Sequence, residues 1–152
     1  MERYEHDLHK QGSISVSEIR LTMQKIMQKH AGVFRNDLLL QEGVIQLNDL
    51  YKEIENVKID DKSRIFNTEF IELLELKNLM VNALVTMEGA NFRKESRGAH
   101  SHEDYPDRDD ENWLKHTITR IKNNKVNITT RNTIQTVLDD EVKSVPLAKR
   151  VY

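Results

Sequence analysis

Three long amphipathic runs constrain the fold of this chain more than any other feature of its sequence. Only five Gly and two Pro interrupt its 152 residues, so long uninterrupted elements are expected. In each run the apolar residues recur at three- and four-residue steps, which is the spacing of one face of an α-helix. We therefore predict a mainly α fold built on an antiparallel three-helix bundle.

The first run begins at an S-x-x-E capping box formed by Ser15 and Glu18. In such a box the two side chains satisfy backbone N–H groups that the first helical turn leaves free. The apolar stripe that follows predicts a helix over about Val16–His30, and Gly32 is expected to end it.

The second helix is expected to begin at Asn36 or Asp37, both of which are suitable capping residues. Its interior Gly43 costs up to about 1 kcal/mol relative to Ala, so we expect a neighbouring residue to pack closely there. The apolar stripe of this helix consists of Leu40, Val44, Leu47, Leu50, Tyr51, Ile54 and Val57.

The third helix is expected to begin at Asn67 or Thr68 and to reach about Arg93. Four methionines lie on the apolar stripes of the first and third helices, where an adaptable side chain fills a core and no cofactor role is needed to explain it. These are Met23, Met27, Met80 and Met87.

After the helices the pattern changes from helical to extended. The segments Thr117–Ile121 and Lys125–Thr129 are rich in β-branched residues and flank the pair Asn123-Asn124. Because Asn tolerates a positive φ, this pair predicts a tight β-hairpin turn. From the hairpin to Tyr152 we expect an extended C-terminal tail that lies along a partner or along the bundle.

These patterns give one domain in three parts. Residues 1–14 are expected to be a flexible N-terminal segment, residues 15–97 a three-helix bundle, and residues 98–152 a structured loop, a small β-hairpin and a tail packed on the bundle. A chain of 152 residues buries roughly two-thirds of the surface that its unfolded form exposes, so one core suffices.

Composition excludes several classes of function. The chain has no Cys, which rules out disulfides, thiolate metal sites and thiol nucleophiles and favours a reducing compartment. Its net charge is only −2 although 32% of its residues are charged, so no overall field attracts nucleic acid or an anionic membrane. No apolar run approaches the ~20 residues of a membrane span.

The segment 95–117, ESRGAHSHEDYPDRDDENWLKHT, has the most unusual composition. It contains three of the six His, the only Trp, seven acidic and three basic residues. One His-x-His pair beside acids is weak evidence for a metal, and consecutive acids around an Arg indicate a solvated, mutually paired turn rather than a general acid. No Gly-rich phosphate loop or nucleophile elbow is present. A loop this particular is typical of a docking element.

Two blocks of the sequence resemble a known family. FNTEFIELLELKNLM and ANFRKESRGAHSHEDYPDRDDENWLKHT, together with the earlier SEIRLTMQKIMQKHAGVFR and the final VPLAKRVY, are similar to the C-terminal region of succinate dehydrogenase flavoprotein subunits. The resemblance covers about Ser15–Thr117 and the end of the tail. Fumarate reductase flavoproteins and L-aspartate oxidases share the bundle and the SRG block, and they remain alternatives.

The resemblance implies that the chemistry lies outside this chain. In the family the FAD-binding domain, the flavin attachment and the catalytic Arg and His residues all precede this region, so we assign no catalytic, cofactor-binding or metal-binding residue here. FAD is expected in the parent subunit, which would oxidise succinate to fumarate and pass electrons to an iron–sulfur subunit and quinone. This chain would be the structural and docking part of that enzyme.

The expected partners follow from the same resemblance. They are the FAD-binding and capping domains of the same subunit and the iron–sulfur subunit, with no nucleic acid and no direct membrane span. The parent would be peripheral on the cytoplasmic face of a bacterial inner membrane or on the mitochondrial matrix face. A free-standing helical adaptor module remains another alternative, since the sequence begins with Met1.

The candidate docking or loop-fixing residues all belong to the matching blocks. We expect Arg97 and His100 to fix the loop, Arg108 to pair with acids and Trp113 to anchor the hairpin to the bundle, either for docking or as internal contacts alone. The resembled family usually has Arg at the position of His102, so any pairing there with an acid of the flavin domain should be weaker and pH-dependent. The candidates are Arg97, His100, His102, Asp104, Arg108, Asp109, Asp110, Trp113 and His116.

Overall fold

The computed structural model of the chain describes residues 2–139 and 141–148. Helices α1 to α5 and strands β1 to β6 follow one another along these residues. Their order is α1 Glu2–Leu8, β1 Ile14–Ser15, α2 Val16–His30, β2 Phe34–Arg35, α3 Asp37–Glu53, a 3₁₀ turn Ile54–Asn56, β3 Val57–Lys58, α4 Thr68–Phe92, β4 Ser101–His102, α5 Asp110–Trp113, β5 Lys115–Lys122 and β6 Lys125–Asn132.

Helices α2, α3 and α4 form a bundle in which each helix contacts the other two. Their apolar stripes meet in one core, and each large side chain buried there contributes roughly 1.5–3 kcal/mol. The prediction of a mainly α fold with a small hairpin is confirmed. In these three helices the side chains with no exposed surface are Leu40, Leu47, Leu73, Leu76, Met80 and Met87.

The predicted start signals of the three helices are all used. Ser15 Oγ accepts from the Glu18 N–H at 3.3 Å, and Glu18 Oε2 accepts from the Ser15 N–H at 2.9 Å. Asn36 and Asn67 cap α3 and α4, each side-chain oxygen accepting the N–H three residues further on, at 2.9 and 2.8 Å. Each such cap stabilises its helix by about 1 kcal/mol.

Gly43 marks the closest approach within the bundle, as its position in the second run predicts. A Cβ at this residue would lie 2.7 Å from His30 Cβ and 2.7 Å from Met87 Cε. Real Cβ atoms do not come this close to other heavy atoms, so only Gly lets α3 pack here. Met23 is buried as well, and the prediction that the methionines fill the core holds.

The N-terminal segment, expected to be flexible, is helical from Glu2 to Leu8 and packs against the bundle. Leu8 is 5% exposed, and buried Asp7 pairs with Lys77 of α4 at 2.6 Å. The Lys62 ammonium donates to the carbonyl oxygens of Leu8 at 3.1 Å and Lys10 at 3.0 Å. All these partners lie more than fifty positions away in sequence, so no local pattern signals the packing.

Strands β5 and β6 form the predicted antiparallel hairpin. Compared with the predicted bounds, β5 has two more residues at its start and one at its end, and β6 has three more at its end. Asn123 and Asn124 have φ of 53° and 56°, which are the values of a two-residue turn whose twist suits a hairpin. Ile121 and Val126, opposite each other, pack against the core.

The tail departs from the prediction in one respect. Residues 133–139 and 141–148 form no helix or strand, as expected, but nearly all their side chains are exposed, so this part does not pack on the bundle. Leu138 is 103% and Val145 90% exposed. Isolated apolar residues without a period cannot form a face to bury. The last four residues of VPLAKRVY lie outside the described residues.

Candidate functional site

The segment 95–117 folds over one end of the bundle, where α4 ends at Phe92 and α2 turns towards α3. A two-residue parallel pairing fixes it there, with Phe34 of β2 opposite Ser101 of β4 and Arg35 opposite His102. Between α4 and β4, Gly98 takes a φ of +59° in a tight turn, which costs Gly little. The turn brings residues 96–101 beside the end of α2.

Glu95 is the central acceptor of the hydrogen-bond network that holds segment 95–117 together. Its carboxylate has no exposed surface and accepts hydrogen bonds from Arg97 Nε at 2.8 Å, from the Asp109 N–H at 2.9 Å and from Arg93 Nη1. Burial raises the pKa of Glu95, but the bonds from Arg97, Asp109 and Arg93 outweigh it and hold this pKa below its ordinary value. An ionised carboxylate therefore binds three loop segments together.

Asp110 links Arg97 and Arg108, the two arginines of this segment. It accepts from Arg97 Nη2 at 2.7 Å and from Arg108 Nη2 at 2.7 Å. The hydrogen bond from Arg97, followed by that from Arg108, lowers the pKa of Asp110 although burial opposes the shift. Arg108 also donates to the Ala148 carbonyl at 2.6 Å, which ties the tail to the loop.

Asp109 caps the short helix α5 and orients the start of the hairpin. Its carboxylate accepts from the Asn112 N–H at 2.9 Å, and this bond lowers the pKa of Asp109. At the end of α5 the Trp113 ring meets Phe92 edge-on with centroids 5.4 Å apart. Arg93 lies 5.4 Å above the Trp113 ring and donates to the Trp113 carbonyl at 3.0 Å. These contacts place the indole between the bundle and the hairpin.

His100 faces inward, towards the turn between α2 and α3. Its Nδ1 lies 3.0 Å from Arg35 Nη1 and its Nε2 lies 3.2 Å from the Arg93 carbonyl. Arg can only donate and a carbonyl can only accept, so the proton of the neutral ring is on Nε2. Burial, followed by the nearby positive charges, lowers the pKa of His100 and favours this neutral form.

His102 is also turned inward and is 1% exposed. Its Nε2 lies 3.2 Å from Asp37 Oδ1, and its ring meets that of Tyr105 edge-on at 4.8 Å. Asp37 pairs with Lys94, and this contact is the main cause of its lowered pKa. The acid beside His102 therefore belongs to this chain itself and not to a flavin domain.

Asp37, His102 and Asp104 are the one group of the described residues whose spacing could hold a metal ion. Two competing contacts already use their oxygens, because Lys94 holds the Asp37 carboxylate and Asp104 Oδ2 accepts the Asp37 N–H at 2.8 Å. The ammonium supplies the positive charge that an ion would bring. We therefore assign no metal to this group.

The predicted residues do not all come together. Arg97, Arg108, Asp109 and Asp110 form one polar network, while His116 lies exposed on β5. Five residues that hold this network and its neighbours in place carry no signal in the sequence, because they lie just before the SRG block or between the end of α2 and the start of α3. These are Arg35, Asp37, Arg93, Lys94 and Glu95.

Known proteins share this fold and much of this sequence. The family model described as fumarate reductase flavoprotein C-term matches residues 20–152. The succinate dehydrogenase flavoprotein subunit of Rickettsia conorii is 48% identical over 151 residues, covering 99% of this chain and 25% of that protein. The mitochondrial succinate dehydrogenase [ubiquinone] flavoprotein subunit of Oryza sativa subsp. japonica is 46% identical, covering 93% of this chain and 22% of that protein.

Among solved structures, the E. coli quinol fumarate reductase FrdA superposes with a TM-score of 0.88 at 30% identity, covering 99% of this chain and 25% of FrdA. The chain belongs to the family of C-terminal domains of succinate dehydrogenase and fumarate reductase flavoprotein subunits. It spans about a quarter of the length of the curated relatives that it matches.

Proposed function

We propose that this chain is the structural and docking domain of a succinate dehydrogenase flavoprotein subunit. The parent enzyme oxidises succinate to fumarate and passes the electrons through FAD to an iron–sulfur subunit and quinone. The similarity to succinate dehydrogenase subunits at 46–48% identity over nearly the whole chain supports this assignment. The FAD and the catalytic groups belong to the rest of that subunit, and this chain contributes the shape against which they pack.

The single observation that carries the docking role is an apolar patch at the loop-bearing end of the bundle. Val33, Phe34 and Leu38 form this patch and are 72%, 68% and 67% exposed. Large apolar side chains grouped beside polar residues on a surface are typical of a protein interface. The FAD-binding and capping domains are the partners we propose for this patch, and the iron–sulfur subunit is the next partner in the complex.

The polar network of the loop acts on this surface indirectly. The carboxylates of Glu95 and Asp110 are bound by arginines of the same loop, so they hold its shape and are not free to bind a partner. His102 is buried and belongs to the same supporting layer. The docking surface is therefore the apolar patch with the neighbouring turn at Gly98, supported by the network beneath it.

We propose that the parent complex lies at the cytoplasmic face of a bacterial inner membrane or at the mitochondrial matrix face. Among the residues that the structure describes, no helix is long and apolar enough to cross a membrane. Attachment through other subunits of the complex is consistent with that finding.

The test is to express this chain and the full reading frame that contains it, and to supply each with FAD, succinate and an electron acceptor. We expect turnover from the full subunit and none from this chain. Turnover by this chain alone would contradict the docking role. A reading frame that begins at Met1, with no flavin domain upstream, would instead favour a free-standing adaptor.

A fumarate reductase flavoprotein is the second candidate for the parent. The whole-chain match to FrdA at a TM-score of 0.88 favours it, and a Mycobacterium tuberculosis fumarate reductase flavoprotein subunit is 41% identical over 118 residues. Comparing the rates of succinate oxidation and fumarate reduction by the full complex distinguishes the two. A faster fumarate reduction would favour this alternative.

A further inference from the structure

Arg35 lines a cleft between the end of α2 and the loop, and this cleft has a volume of ≈ 1050 Å³. Its guanidinium donates three hydrogen bonds, from Nε to the Gly32 carbonyl at 2.9 Å, from Nη2 to the Ala31 carbonyl at 3.2 Å, and from Nη1 to His100 Nδ1 at 3.0 Å. All three acceptors are uncharged. A guanidinium has five N–H groups, so two remain for another acceptor.

The charge of Arg35 is uncompensated within the described part of the chain, where this residue forms no ion pair within 4.0 Å. Arg97 and Arg108 line the same cleft, and both pair with Asp110. Burial lowers the pKa of Arg35, which reflects the cost of removing this cation from water. A half-buried cation of this kind gains most from an anionic partner.

The groups around Arg35 position it without neutralising it. His100 accepts from Arg35 and is held in its neutral form, as described above, so it fixes the direction of the guanidinium and adds no negative charge. Asp107 is the other acid that lines the cleft, and it is exposed and in no ion pair with Arg35. The two free N–H groups are therefore available for a carboxylate that comes from outside the chain.

We propose that Arg35 receives an Asp or Glu side chain of the flavin-binding part of the same subunit, and that this carboxylate enters the cleft when the two parts pack together. This inference rests on the proposed function and names the contact that docking would make. Arg is suited to it because its planar fork can bind both carboxylate oxygens.

A protein side chain fits the cleft better than a free small anion because of what surrounds Arg35. Val33 and Phe34 immediately precede it and are largely exposed. A protein surface that covers these two side chains would also exclude water from the ion pair. Central charged contacts surrounded by apolar ones carry much of the binding energy of protein interfaces.

The first experiment replaces Arg35 in the full-length subunit, as Arg35→Lys, and treats the protein with a water-soluble carbodiimide. The reagent activates a carboxylate, and a neighbouring amine displaces it to form an amide, with the reagent leaving as its urea. Peptide mass spectrometry then identifies the joined residues. We expect a link from the introduced amine to an Asp or Glu that precedes this chain in the subunit.

The existing ion pairs of Lys94 with Asp37 and Lys77 with Asp7 serve as internal controls, because their links show that the variant is folded. Arg131→Lys, on the exposed hairpin, is the matched control and should give no such link. If the introduced amine links only to Asp107 or another acid of this chain, or stays unlinked while the internal controls react, the inference is overturned and the proposed function stands.

The second experiment uses the unmodified chain and acetate as the probe. Arginine Nε–Hε NMR signals are followed as acetate replaces chloride at constant ionic strength. We expect the Arg35 signal to shift saturably and that of Arg131 to shift less than half as far. Equal shifts would overturn the inference, and so would a comparable shift of the Arg35 signal caused by Asp107→Asn without acetate. A missing upstream flavin domain would contradict the proposed function but leave this measurement interpretable.

Discussion

The bundle and the loop each bury side chains completely, but they stabilise them by different means. Leu76 and Met87 have no exposed surface and belong to one apolar cluster, so their contribution comes from many small contacts and exclusion of water. Glu95 also has no exposed surface, yet its carboxylate is held by two guanidinium groups and a backbone N–H.

This difference matters for how each region responds to change. When an apolar side chain is shortened, its neighbours can relax partly into the space. When one member of a buried charge network is removed, the others remain buried without a partner. We therefore expect the loop, which shapes the proposed docking surface, to be the more sensitive region to a single substitution.

The largest expected effect is that of Glu95→Ala. It leaves the guanidinium groups of Arg93 and Arg97 without their shared carboxylate, and we expect the free energy of unfolding to fall by about 4 kcal/mol, within the range of roughly 3–5 for a broken buried pair. Urea unfolding measures this. Hydrogen exchange at the Asp109 amide, which donates to Glu95, should accelerate. A loss below about 1 kcal/mol would mean that the network is solvated and not buried.

In the bundle, Leu76→Ala is the matching substitution. We expect it to lower the free energy of unfolding by about 3 kcal/mol, within the range of roughly 2–5 for this change in a core. The loss should appear in the free energy of global unfolding. Hydrogen exchange at the Asp109 amide by local opening, which needs less free energy than global unfolding, should be unchanged. If this exchange accelerates as much as in Glu95→Ala, the two regions are one cooperative unit and the contrast between them fails.

The bundle could be predicted closely because its signals are local. Ser15 and Glu18 sit three residues apart and form the capping box that the sequence indicates. Asn123-Asn124 likewise sets its own turn. In both cases the residues that make the signal are also the residues that make the contact, so short sequence windows contain the necessary information.

The loop could be recognised as unusual, but its contacts could not be predicted. Its partners come from separate elements, since Arg35 reaches His100 across 65 positions and the Asp37 N–H reaches Asp104 across 67. Glu95 looks in sequence like one acid among seven. Only the fold shows that it is buried between two arginines while Asp107 is exposed.

Gly43→Ala tests the packing limit of the bundle with a smaller expected effect. The added methyl group would meet His30 and Met87 at 2.7 Å, so we expect a loss of about 2 kcal/mol, within roughly 1–3 for overpacking. Gly89→Ala in α4 is the matched control, because its nearest neighbour would be Thr119 Cγ2 at 3.9 Å. That variant should gain about 0.5–1 kcal/mol from helix propensity. Equal effects at both sites in thermal unfolding would contradict the close approach.

The smallest effect we expect is a pH dependence of the folding stability, which comes from His100 in the loop. His100 has a pKa below its ordinary value of 6.5 in the folded chain, chiefly because of burial. The unfolded chain therefore binds more protons just below pH 6.5, so stability falls as the pH drops from 6.5 towards the folded pKa and then levels off. His100→Gln should flatten this part of the stability curve measured by urea unfolding between pH 7 and pH 5, in steps of about half a unit.

His116→Gln, exposed on the hairpin, is the control and should keep the pH dependence of the unmodified chain. Glu95 and Asp110 are acids, whereas His100 is a base, but they change stability with pH in the same direction. Their folded pKa values are also lowered, so they too stabilise the fold less as the pH falls. Their stabilising contribution is complete above the pKa range of unfolded carboxyl groups and is lost as the pH falls through their folded pKa values. This loss therefore begins only below about pH 4.5. The two steps are thus separable. A curve that is flat from pH 7 to pH 5 in the unmodified chain would show that His100 is not shielded from water in the folded state.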